Sequence, residues 1–369
     1  MLRRLLMIAA TALALATTTS AAADYQVETV VEGLEHPWSI AFLPDGRMLV
    51  TERAGRLRII RDGEVQAEPV AGVPEAWVAG QGGLMEVLPA PDYADSGLIY
   101  LSLAHGERGA TTTRVVRGRL DGNVLIDVEE IFRATPTRGA AVHYGGRMVF
   151  LPDDTLLIAL GDGFNYREQS QKLDSHTGTI VRIHADGSVP QDNPFVDKEG
   201  ARQEIYSYGH RNVQGLVYDA ANDRIWQHEH GPRGGDKLNL LAAGNNYGWP
   251  ITSFAPNYDG AIISPHTHLP GVTAPVRTWT PALAPAGMAL YEGDRFPDWQ
   301  GNLLIAGLAS RDLTRLVLDG EEVVEEERLL TELNRRLRDV REGPDGAVYV
   351  LTDHADGEVL RVTPVGGEK

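Results

Sequence analysis

Apolar and polar positions along the chain repeat one pattern six times. A strand that often opens on a polar residue runs into a tight turn and returns as a second, more apolar strand. The copies cover residues 38–52, 81–101, 143–160, 211–226, 285–305 and 338–351. Their turns carry Pro, Asp, Asn and Gly, as in Leu43-Pro44-Asp45-Gly46 and Gly343-Pro344-Asp345-Gly346. Proline presets the first turn dihedral and glycine accepts a positive one. Strand pairs repeated this way, each completed to a four-stranded sheet, predict an all-β chain folded as a six-bladed β-propeller. A β-sandwich built from similar hairpins is the alternative. Residues 25–31 and 358–362 also alternate like strands. A closed ring must join its ends, so these two segments are predicted to share the last blade.

Residues 1–23 begin with Arg3 and Arg4, continue as an apolar run to about Ala16 and finish in small residues through Ala23. That layout predicts a cleaved secretory signal, hence a periplasmic or secreted protein with residues 24–369 as one propeller domain. The apolar run is short for a membrane anchor, and no insertion is expected after cleavage. With 51 acidic and 34 basic residues the net charge is −17, which argues against nucleic acid and anionic membranes as partners. The absence of cysteine excludes disulfides, thiolate metal sites and covalently attached c-type haem. Electrons from any redox step must therefore leave to an external acceptor. The charged run 321–328 reads as a solvated hairpin.

Inner strands of a propeller start near its axis. Gln81, His143, Arg211, Asn212 and Arg338 stand at such starts in different copies, and their convergence would make a polar pocket. His143 suits a base of near-neutral pKa or a hydrogen-bonded structural role. Asp162, after the strand that follows His143, either orients the imidazole or makes an Asp-Gly turn. In His228-Glu229-His230-Gly231-Pro232 the two histidines could form half of a zinc site, with no clear third ligand close in sequence. The Gly231-Pro232 turn can expose carbonyls to a hard cation such as Ca²⁺, or be an ordinary turn. The stretch from Gly244 to Pro250 is either a structural corner or an aromatic wall for a flat ligand.

Taken together, the chain resembles the soluble pyrroloquinoline quinone (PQQ)-dependent sugar dehydrogenases of the glucose/sorbosone dehydrogenase family, and among them the aldose sugar dehydrogenases. The resemblance is carried in order along nearly the whole chain. It runs through His36-Pro37-Trp38, Gly80-Gln81-Gly82-Gly83, His143-Tyr144-Gly145, Leu160-Gly161-Asp162-Gly163 and Asp192-Asn193-Pro194-Phe195. It continues through the segment from Gly209 to Gly215, Glu229-His230-Gly231-Pro232, Gly244 to Pro250 and Arg336-Leu337-Arg338-Asp339-Val340. It implies PQQ at the mouth of the channel and an aldose substrate, with His143 as the base for the anomeric hydroxyl and Asp162 holding it. By the same likeness Arg211 and Asn212 polarise the quinone, Gln81 lines the site, Arg336 and Arg338 meet the cofactor's carboxylates, and the carbonyls of Gly231 and Pro232 bind Ca²⁺.

The sequence departs from relatives at two places. The stretch Gly307-Leu308-Ala309-Ser310 has no lysine where relatives often place one, leaving Arg311 as a possible substitute. Lys237 stands where relatives often carry a glutamate that binds a second, structural Ca²⁺, and an ammonium there repels such an ion. Two other functions fit the same architecture. One is a Ca²⁺-dependent hydrolase or lactonase using metal-activated water, and the other is a noncatalytic binding propeller. The arginine set together with His143 favours the dehydrogenase.

Overall fold

All six hairpins form, and each is extended by two further strands into a four-stranded antiparallel sheet. The computed structural model describes residues 25–366, so the leader expected over residues 1–23 lies outside the described residues. The innermost strands of blades one to six are Pro37–Phe42, Leu84–Pro89, Gly145–Phe150, Val213–Asp219, Pro285–Leu290 and Leu337–Glu342. Neighbouring innermost strands pack side by side all the way round, so the sheets close into a six-bladed propeller. The sixth blade holds both the first and the last of the described strands. Tyr25–Leu34 pairs antiparallel with Gly357–Pro364, with Tyr25 opposite Pro364 and Leu34 opposite Gly357, as the two end patterns predicted. Glu322–Leu329, which spans most of the charged run, is the outer edge strand of blade five.

The core explains why the second strands are so apolar. Thr155–Leu160 is buried along its whole length. Its Leu156, Ile158 and Leu160 pack with Tyr100, Val115 and Phe132 toward blade two. Its Leu157 and Ala159 pack with Val213, Leu216 and Tyr247 toward blade four. Successive side chains point to opposite faces, so one strand serves two interfaces. An apolar cluster of this kind fills every blade interface. Truncating one such residue, Leu157→Ala for example, costs about 2–5 kcal/mol.

Two features of the inner strands prepare the axis for chemistry. In every blade the first hairpin slips register near the start of the inner strand, between Gly145 and Met148 in blade three and between Leu337 and Asp339 in blade six. Such bulges re-aim side chains, here toward the channel. Further along, the channel is plugged by buried charge. Arg147 lies 2.9 Å from Glu86 and 3.0 Å from Asp339, and Arg341 lies 2.5 Å from Glu86 and 3.4 Å from Asp339. Ser39 Oγ donates to Glu86 at 3.1 Å, the Ile40 amide donates to Asp339, and the Arg147 guanidinium lies 4.1 Å over the Trp38 ring. Gly287 makes room: a Cβ there would sit 2.0 Å from Asp339 Oδ1.

Candidate active site

Above the plug the channel opens into a cavity of about 270 Å³ with Trp38, Arg53, Gln81, Asn212, His230, Arg336, Arg338 and Asp353 in its wall. A second hollow of about 230 Å³ is bordered by Phe164, Arg211, Pro232 and Trp249. His143 lies between them and touches one wall residue of each. Its backbone amide donates to Gln81 Oε1 at 2.9 Å, and its ring meets Phe164 edge-on at 5.4 Å.

His143 has φ +55°, a left-handed conformation uncommon for a residue with a Cβ, and its surroundings hold it there. Those surroundings are specific. Gly161 lies so close that a Cβ would sit 2.0 Å from the His143 carbonyl oxygen. The buried Arg138 guanidinium donates to the carbonyls of Gly161 and His143. The imidazole Nδ1 lies 2.6 Å from Asp162 Oδ1. Asp162 is fully buried and also accepts the Phe164 amide at 2.7 Å and the Trp249 indole N–H at 2.8 Å. Burial alone would raise the Asp162 carboxyl, but the His143 bond and the neighbouring donors bring it below the usual carboxylate range. Burial pushes His143 below the ordinary imidazole value, helped by the Arg211 and Arg138 charges and opposed by Asp162. The result is an ionised carboxylate beside a neutral ring. Because a carboxylate only accepts, Nδ1 carries the hydrogen and Nε2 is the atom left to take a proton.

The cations around the site are differently engaged. Arg336 and Arg338 share one carboxylate, Asp353, at 2.9 and 3.0 Å, and His36 approaches the same group at 3.3 Å. The Arg338 Nε is buried without a hydrogen-bond partner. Arg211 meets no carboxylate among the described residues. Its guanidinium lies 5.3 Å from the Trp249 ring and 6.0 Å from the Tyr258 ring and reaches the His230 carbonyl at 3.4 Å. Asn212 Oδ1 accepts the Gly145 amide at 3.2 Å, leaving its Nδ2 hydrogens for a ligand. At Gly231-Pro232 the amide of Gly231 is held by Asp236 at 2.7 Å, while neither carbonyl accepts a hydrogen bond among the described residues. Asp236 ties this turn to blade five through the Ala284 amide, and burial raises its carboxyl to about 6. Two free carbonyls at a cavity edge are a fit for a hard cation.

The predicted residues Gln81, His143, Asp162, Arg211, Asn212, Arg336, Arg338 and the Gly231-Pro232 turn thus gather at one end of the channel. Arg311 does not join them. It is exposed and donates to Asn334 at 3.1 Å. The histidine pair is also split: His228 lies fully buried with both ring nitrogens unpartnered, and His230 Nε2 lies 2.7 Å from the Pro285 carbonyl. Sequence reasoning missed Arg53, Arg138, Trp249 as a partner of Asp162, and Asp353. An acid ends or follows the second strand in blades one, three, four and six (Glu52, Asp162, Glu229, Asp353), and aligning the repeats would have exposed the last.

Fold and site together define an axial-site β-propeller, with a proton-accepting imidazole and a cationic cavity at one mouth of a sealed channel. The chain belongs to the glucose/sorbosone dehydrogenase family, an oxidoreductase family whose sequence profile matches residues 34–361. It is 43% identical to aldose sugar dehydrogenase YliI of Escherichia coli (strain K12) over 94% of each chain. It is 27% identical to quinoprotein glucose dehydrogenase B of Acinetobacter calcoaceticus, over 90% of this chain and 86% of that one. The crystal structure of the soluble aldose sugar dehydrogenase from Escherichia coli in the apo-form matches with TM-score 0.89 and 42% identity, over 92% of this chain and 99% of that one. The PQQ-bound form of aldose sugar dehydrogenase from Streptomyces coelicolor matches with TM-score 0.75 and 30% identity, over 92% and 99%.

Proposed function

We propose that this chain oxidises aldose sugars at the anomeric carbon to lactones, using PQQ and Ca²⁺, and hands the electrons to an external acceptor outside the cytoplasm. The observation that carries this reading is the 2.6 Å bond between His143 and the buried Asp162 beside an arginine-walled cavity. His143 Nε2 takes the anomeric hydroxyl proton, and Asp162 holds the ring in the tautomer that permits it. PQQ, when bound, supplies the two-electron acceptor for the hydride that leaves the anomeric carbon. The sugar carbon thereby gains a carbonyl and becomes the lactone carbon.

The donor set fits a flat polycarboxylate. Arg336 and Arg338 together outnumber the one acid they share, and the unpartnered Arg338 Nε has a hydrogen left to give. Arg211 and the Asn212 amide offer positive charge and N–H donors where negative charge develops. Gln81 fixes the His143 backbone. The Gly231 and Pro232 carbonyls would hold Ca²⁺. The leader-like residues 1–23 support export to the periplasm or the medium. The 43% identity to an aldose sugar dehydrogenase supports the substrate class.

The test is reconstitution. With PQQ and Ca²⁺ added to the purified protein, aldoses should reduce an artificial dye. No change in the cofactor spectrum on addition, together with no dye reduction by any aldose, would overturn the proposal.

A further inference from the structure

The donor set around Lys237 does not fit the second, structural Ca²⁺ that the resemblance brings to mind, because a cation is already there. Lys237 is buried, and its Nζ lies 2.9 Å from Glu229 Oε1 and donates to the Tyr247 carbonyl at 3.0 Å. Glu229 is fully buried, and its other oxygen, Oε2, accepts the backbone amide of Arg211 at 2.5 Å. His210 Nδ1 stands 3.5 Å from Glu229 Oε1, and its ring stacks on Tyr247 at 4.7 Å. One buried carboxylate therefore links the Lys237 ammonium to the backbone of the arginine that borders the candidate site. One positive charge balances one negative charge, so a divalent ion has neither room nor uncompensated charge to bind.

We infer that Lys237 is a built-in cation replacing a structural divalent ion and a positioning residue for Arg211, acting through Glu229. Removing the ammonium leaves Glu229 buried without its counter-charge, which is strongly unfavourable. Replacing it by a carboxylate creates a new oxygen site from Glu229, the introduced acid and the Tyr247 carbonyl, a set that suits Ca²⁺.

The experiment has two arms. The first follows thermal unfolding of the apoprotein in Ca²⁺ and in EDTA, without cofactor or sugar, and does not depend on the dehydrogenase reading. The wild type should melt within about 1 °C of the same temperature in both media, since two carbonyls alone at Gly231-Pro232 hold Ca²⁺ weakly. Lys237→Glu should melt roughly 5 °C or more lower in EDTA than in Ca²⁺. Lys237→Met should melt roughly 5–10 °C below the wild type in both media alike. A wild type that loses stability in EDTA, or a folded Lys237→Glu variant blind to Ca²⁺, overturns the built-in cation. If Lys237→Glu does not fold, Lys237→Met decides, and a melting temperature equal to the wild type overturns the inference.

The second arm rests on the proposed function and tests positioning. In excess Ca²⁺, the PQQ concentration that half-quenches tryptophan fluorescence should rise roughly tenfold in Lys237→Met, and Lys237→Glu should recover most of that loss. Unchanged half-saturation in Lys237→Met removes the positioning role while leaving the first arm standing. A failure of PQQ to bind the wild type at all counts against the proposed function instead.

Discussion

The same two kinds of side chain, arginine and carboxylate, occur at two levels of one channel and do opposite things. In the plug, Arg147 and Arg341 face Glu86 and Asp339, so charges match two to two; Glu86, Asp339 and Arg147 are buried and Arg341 is half-buried. At the mouth, Arg336 and Arg338 share Asp353 alone, Arg53 lines the same wall, and Arg211 has aromatic faces and a carbonyl for company. The plug is complete without a ligand. The mouth carries surplus positive charge and unengaged donors, and it places the neutral His143 imidazole among them. Matched pairs seal the channel, whereas the surplus marks the place where an anionic ligand belongs.

The largest expected difference between the two levels is in rate. His143→Ala should lower turnover of the reconstituted protein by roughly 10²–10⁴-fold while the melting temperature stays close to wild type. The same residue sets the acid limb of the pH–rate profile. Burial holds the His143 imidazole below its ordinary value, so the neutral base persists to lower pH and the limb should fall below about pH 6.5. A limb above that value would contradict the assignment.

The plug should respond in stability. Arg147→Met leaves two buried acids facing one guanidinium and should cost roughly 3–5 kcal/mol, read by denaturant unfolding. Next in size is a pH effect at the same level. Burial, with the nearby Arg147 charge, pulls His228 down to about 3. The unfolded imidazole takes up a proton as pH falls below about 6.5 while the folded one does not, so stability declines toward acid. Between pH 6.5 and 4.5 this one residue should account for roughly 2 kcal/mol, and His228→Gln should flatten the slope by that amount. The smallest stability change is expected at the mouth. Arg338→Gln leaves Arg336 on Asp353 and should cost under about 1 kcal/mol, yet raise the half-saturating PQQ concentration roughly tenfold or more. A large stability loss there would show that the mouth is built like the plug.

The fold was legible because its signals are local and repeated. Turns such as Leu43-Pro44-Asp45-Gly46 and the apolar strands after them, as in Thr155–Leu160, state their structure within a few residues. The closing pair of Tyr25–Leu34 and Gly357–Pro364 followed from the need to seal a ring. The site was legible only as a list of polar strand starts. Which groups pair with which depends on bulges and on distant loops. Trp249, in a segment read as a possible corner, reaches Asp162 across 87 positions of sequence, and Asp353 is bound by Arg336 and Arg338 at the start of the inner strand of its blade. The plug was not legible at all. Glu86, Arg147, Asp339 and Arg341 look like ordinary strand residues until three blades bring them to one axis.

The central claim is that the imidazole at the channel mouth is the base for sugar oxidation on a bound quinone. The most direct measurement is a single-turnover experiment under anaerobic conditions, mixing an aldose with the PQQ- and Ca²⁺-loaded protein and following the cofactor's absorbance. The account predicts rapid conversion to the reduced spectrum in the wild type and conversion roughly 10²-fold slower or more in a His143→Ala variant that has bound the same amount of cofactor. Equal rates in the two loaded proteins would contradict it.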